Sequence, residues 1–226
     1  MSDHDPFSRA LSLAVHEFRT PVTVVGGYLR MLLKEQGGPL NDKQRRMLEE
    51  AERACTRLST LVGEMSDLGR LEAHELAMAR QEIEINSLAT ELASDMHEGD
   101  ERGVRIEVTQ ADQPLVVTGD RARVKAAVST LMRAAVRERG EPGVIVADCS
   151  AAEFEGTRWA VLAIGEGALI PALRQVRGTT NDFNEWHGGL GLALPVARRV
   201  IEAHGGALWS ATDARAASAL RLPLRR

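Results

Sequence analysis

Apolar residues in the first third of the chain fall at Leu11, Val15, Phe18, Val22, Val25, Leu29 and Leu32, in steps alternating four and three. That spacing is a heptad seam and predicts one long amphipathic helix. Gly37-Gly38-Pro39 stops it, and Asn41 with Gln44 three residues on makes an N-cap and capping-box pair that starts another. A second seam runs through Met47, Ala51, Ala54, Leu58, Leu61, Met65 and Leu68 with the same step. Two long helices and a short turn predict an antiparallel hairpin. One hairpin cannot bury both seams well, so a homodimer is expected, two copies pairing as a four-helix bundle.

The pattern changes after Glu72-Ala73-His74. Short β-rich runs appear at 82–85, 104–109, 115–118, 143–149, 158–164, 207–211 and 219–224. Amphipathic helical stretches lie between them, near 87–97, 120–138 and 190–204. This alternation predicts an α/β sandwich, one sheet covered by helices. The expected class is therefore α+β, with a helical domain over 1–75 and a sandwich domain over 76–226.

Composition narrows the picture only a little. The 226 residues are 44% hydrophobic and 27% charged, as in an ordinary folded protein. A net charge of −4 offers no basic surplus to attract nucleic acid or an anionic membrane. No apolar run approaches the ~18 residues that span a bilayer. MSDHDPFSRA has acids where a signal peptide needs a basic region. A cytoplasmic location follows as the expectation, and it fits Cys55 and Cys149 as two reduced, buried thiols.

Two stretches carry chemistry. AVHEFRTP at 14–21 puts a histidine, a glutamate and a proline into the first seam. Proline lacks the N–H that would bond the carbonyl of Glu17, so the segment is either not helical or has a reason to bend. In the heptad register Val15 and Phe18 face the seam, while His16 and Thr20, one turn apart, share an exposed face. Glu17 also points outward. An imidazole is a good nucleophile near neutral pH, and a neighbouring carboxylate orients it or takes its proton. The second stretch, HGGLGLAL at 187–194, opens onto a helix, where glycines let backbone N–H groups close around phosphate oxygens.

AVHEFRTPVTVV resembles the phosphoacceptor box of bacterial two-component sensor histidine kinases, and DLGRLEA at 67–73 resembles the end of that family's second hairpin helix. The resemblance implies a dimerisation and phosphotransfer hairpin, then a sandwich of the histidine-kinase ATPase (Bergerat) type. It implies that His16 accepts the phosphoryl group, Glu17 is its acid–base partner and Thr20 positions water or the incoming aspartate. A response-regulator receiver domain would be the partner, and another histidine kinase a second one. ATP and Mg²⁺ are the implied cofactors, with Gly167, Gly189 and Gly191 binding the nucleotide, the last two against its phosphates, and a cover over 174–187.

The nucleotide boxes depart from the family's pattern. The helix that should carry a metal-ligating asparagine reads DRARVKAAVSTLMRAAVRERG and has none; Ala134 stands at that position, with Thr130 one turn before and Arg133 and Arg137 around it. A methyl group does not coordinate Mg²⁺. AIGEGALIP at 163–171 puts Gly165 where the family has its adenine-binding aspartate and Leu169 where it has a second glycine. Glu166 lies one residue out of register. Three readings follow: a phosphotransferase or phosphatase with weak or absent ATP binding; an active kinase in which Glu166 and Arg133 or Arg137 replace the lost contacts; and a non-catalytic pseudokinase scaffold. His204, before Gly205-Gly206, is expected to cap its helix, and the tail RLPLRR to be a solvated strand end.

Overall fold

The computed structural model describes residues 6–73, 77–175, 183, 190–210 and 217–225. Two compact units divide the chain, Met1–Leu76 and Ala77–Arg226.

The first unit is a hairpin of α1 (Pro6–Leu33) and α2 (Asp42–Glu72). Its second helix starts on the capping box: Gln44 N–H donates to Asn41 Oδ1 at 2.9 Å and Asn41 N–H to Gln44 Oε1 at 3.0 Å. The first helix ends earlier than its glycines suggest. The chain leaves the helix after Leu33, with Glu35 at φ 57° and Gly38 at φ 110°. A left-handed non-glycine residue costs roughly 1–2 kcal/mol. Arg45 pins it by pairing with the Glu35 carboxylate at 2.5 Å and reaching the Leu33 carbonyl at 3.5 Å.

Two glycines set the spacing of the hairpin. A Cβ on Gly26 would stand 3.2 Å from Cys55 Sγ, and one on Gly69 3.2 Å from Leu11 Cδ2. Val15, Cys55, Val62 and Leu71 are buried in this interior. The heptad positions do not all point there. Val15 is 4% exposed, but Phe18 is 55% and Val25 52%, and Met47 and Leu58 are also largely open. At ~100° per residue, Phe18, Val25 and Leu32 form a second stripe beside the one that packs on α2. Thus Phe18, expected beside Val15, faces outward.

In the second unit, among the described residues, β2 (Val104–Thr109), β4 (Gly143–Phe154), β5 (Thr157–Gly165), β7 (Ser218–Pro223) and β6 (Ala207–Ser210) form a sheet in the order β2-β4-β5-β7-β6. Only the β2–β4 pair is parallel. Strands β1 (Gln81–Glu84) and β3 (Val116–Gly119) pair separately as a two-stranded ladder, joined to the tail by the Val117–Leu224 bridge. The sequence predicted a single sheet; hydrophobic alternation marks strands but does not assign their partners.

Register sorts the two faces. Ala147, Ile164 and Ser218 lie in one row, and Cys149, Leu162 and Leu220 in another. That face meets the layer of α3 (Ile85–Ser94), α4 (Arg121–Glu138) and α6 (Ala193–Ala203). The opposite face carries Val161, Ala163, Trp209, Ala217 and Ala219, covered by α5 (Ile170–Leu173) through Ile170 and Leu173. Helix α4 is fastened at both ends: the Asp120 carboxylate accepts from Arg123 N–H, and Arg102 donates to the carbonyls of Val136 and Arg139.

Candidate functional site

His16, Glu17 and Thr20 are all exposed on α1, next to Val15, which anchors the helix in the hairpin. The helix runs unbroken through Pro21, so the sequence tolerates the lost N–H without a break. Thr23 Oγ1 donates to the Arg19 carbonyl at 2.8 Å two residues beyond the proline. One turn separates His16 from Thr20, and Glu17 stands about 100° round the helix from His16. An imidazole, a carboxylate and a hydroxyl thus meet water side by side. This set can accept a phosphoryl group, take a proton and orient a second nucleophile.

The glycine end is only partly visible. Gly189 and nearly all of 174–187 lie outside the described residues. Gly191 adopts φ 64° two residues before α6, a conformation that favours glycine. Gly167 opens a short 3₁₀ turn, is exposed, and would put a Cβ 3.8 Å from Val146 Cγ2, an ordinary contact. Neither packing nor φ demands glycine at that position.

The positions that should grip metal and base do not fit magnesium–ATP. Ala134 is 4% exposed and offers a methyl group. Arg133 and Arg137 lie 3.7 and 2.6 Å from the single Glu98 carboxylate, which offsets one of their two charges. Glu166 pairs with Arg139 at 2.8 Å. A Cβ on Gly165 would meet Ala217 Cβ at 3.0 Å and Leu173 Cδ1 at 3.6 Å. Among the described residues no group of three or more His, Cys, Asp or Glu side chains could hold a metal ion.

Sequence reasoning missed the residues that shape this region. Asp148, 1% exposed, gives both carboxylate oxygens to Arg174, at 2.7 and 2.5 Å. This hydrogen-bonded pair raises the guanidinium of Arg174 above its ordinary value. Burial, with Asp148 beside it, pushes the Cys149 thiol up to about 12. Trp209 Nε1–H donates to the Leu173 carbonyl at 3.0 Å. Arg221 is not solvated as expected: it is 8% exposed, 5.0 Å from the Phe154 ring and 4.4 Å from that of Trp159. His204 does cap as expected, its Nε2 accepting from Asp120 N–H at 2.9 Å while Nδ1 lies 2.6 Å from the Val200 carbonyl. The partners of Asp148, Trp209 and Arg221, and that of His204 Nε2, are distant in sequence, and no local pattern signals them.

Residues 8–74 match the His Kinase A (phospho-acceptor) domain. Over 213 residues the chain is 26% identical to an uncharacterized sensor-like histidine kinase of Rhizobium meliloti (strain 1021), covering 91% of this chain and 40% of that protein. It is 25% identical over 205 residues to the circadian input-output histidine kinase CikA of Synechococcus elongatus, covering 87% and 27%. The crystal structure of full-length ShkA in complex with AMPPNP has the same fold, with a TM-score of 0.68 over 96% of this chain and 45% of ShkA at 22% identity. The chain spans less than half of each of these proteins. No described helix is long and apolar enough to cross a membrane.

Proposed function

We propose, for a chain that belongs to the two-component sensor histidine kinase family, that it passes phosphoryl groups through His16 to or from the aspartates of response-regulator receiver domains, in the cytoplasm and as a homodimer. The supporting observation is the exposed trio of His16, Glu17 and Thr20 on a helix anchored by buried Val15. A ring nitrogen of His16 attacks phosphorus, Glu17 takes the proton released, and Thr20 orients water or the aspartate that removes the group. Dimerisation is supported by the open stripe of Phe18, Val25 and Leu32. ATP binding is weak or absent in this reading, and Gly167, Gly189 and Gly191 contact nucleotide only if it enters.

The test is direct. Receiver domains carrying labelled aspartyl phosphate are mixed with the full chain. Label leaves the receiver, and His16→Ala reduces the loss to the receiver's own hydrolysis rate. A wild-type chain that neither takes up nor releases label from any receiver of its source genome would end the proposal.

A further inference from the structure

We infer that the α/β unit excludes purine nucleotides by filling the adenine position with its own side chains, and that the phosphoryl group on His16 is therefore supplied by an acyl phosphate on a partner's carboxylate. The second half rests on the transfer reading above; the first does not.

Loss of binding residues alone would leave an open pocket. Here the position of the lost aspartate is itself packed. Gly165 is buried at the end of β5, and a Cβ there would lie 3.0 Å from Ala217 Cβ and 3.3 Å from its Cα. At these distances Ala217 would have to give by a few tenths of an ångström. A restored aspartate would reach further, toward the apolar cluster of Val161, Ala163, Ile170, Leu173, Trp209 and Ala219, where an unpaired charge is costly.

The wall is also held in place. Trp209 bonds the Leu173 carbonyl, and Arg174 at the end of α5 takes both oxygens of buried Asp148. Moving α5 aside breaks these bonds and leaves the buried Asp148 carboxylate without its partner. The metal position is covered too: Ala134 is 4% exposed, so an asparagine there would be buried, while Glu98 is taken up by Arg137 at 2.6 Å and Arg133 at 3.7 Å.

A donor that needs neither nucleotide nor metal held by this chain fits what remains. An aspartyl phosphate qualifies. Its P–O bond to the carboxylate breaks as the N–P bond to His16 forms, the carboxylate leaves as the anion, and the imidazole N–H proton passes to Glu17. The reverse step reloads a receiver.

The experiment uses the full chain, Ala134→Asn, Gly165→Ala and Ala134→Asn/Gly165→Asp. Melting curves are recorded with and without millimolar magnesium–ATP, alongside labelling by γ-labelled ATP and by acyl-phosphorylated receivers. We expect no rise in Tm with ATP for any of them, a Tm lowered by about 3 °C or more in Gly165→Ala, and label at His16 from receivers alone. If the double variant fails to fold, Ala134→Asn carries the nucleotide arm. An ATP-dependent rise in Tm of the wild type or of either repaired chain, or ATP label at His16, overturns the exclusion and leaves receiver transfer standing. Silence toward receivers ends the transfer reading and leaves the exclusion intact.

Discussion

A carboxylate inside a sheet's apolar face is stable only if something answers its charge. Asp148 has that answer in Arg174, whose own side chain is half exposed. Truncating the arginine strands the acid, and breaking a buried pair costs about 3 kcal/mol or more. We expect Arg174→Ala to lose about that much in urea unfolding, and Asp148→Leu/Arg174→Met to recover most of it. A loss under about 1 kcal/mol in the single variant would show that water already reaches Asp148. None of this was legible in GVIVADCS, which reads as a strand and nothing more. The partner lies 26 residues away, and side-chain pairing across a sheet leaves no local trace. Arg221 teaches the same: the tail's composition suggested solvent, but β7 turns that side chain under two aromatic rings. The opening motif is the opposite case, because one short helical stretch contains the whole of it.

The boundaries of elements depend on carboxylates acting as caps. Burial works against the charge of Glu84, yet Ser87 Oγ–H and the N–H groups of Leu115, Ser87 and Asn86 outweigh it and hold the carboxyl below its ordinary value. At Asp120 burial is likewise outweighed, by the N–H groups of Arg123 and Ala79, by the Arg123 charge and by Ala122 N–H. The sign follows: with folded values depressed, the unfolded chain binds more protons, so stability rises with pH through this range. The contribution is complete above the ordinary values of 4.5 and 3.8 and fades as pH falls below them. Urea midpoints of the full chain should drop between pH 5 and about 3, and Glu84→Gln should flatten that drop. An unchanged slope in the variant would remove Glu84 from the account. Most strands and long helices were readable, since period two and period 3.6 survive in the sequence. Helix α5 was not: it is one turn long, within a stretch that reads as a loop.

At the scale of the molecule, the hairpin leaves Phe18, Val25, Met47 and Leu58 more than half exposed. Fully burying such a side chain stabilises by roughly 1.5–3 kcal/mol, so a second hairpin gains by covering them. Phe18→Glu/Val25→Glu should halve the mass measured by light scattering without removing helical circular dichroism. A wild type already monomeric at micromolar concentration would refute the bundle. The two heptad seams made this legible in outline, but which positions face the neighbouring helix and which face outward emerges only when both helices are placed.

Strand β7 has a consequence for the order in which the protein takes shape. It lies between β5 and β6, so the sheet's interior remains split until residues 218–223 have been synthesised. The hairpin needs nothing beyond residue 73 for its own contacts and is free to form while the ribosome is still translating the rest. Synthesis therefore has two stages: the helix that carries His16 emerges early, and the sheet of the second unit stays incomplete until β7 takes its place in the middle.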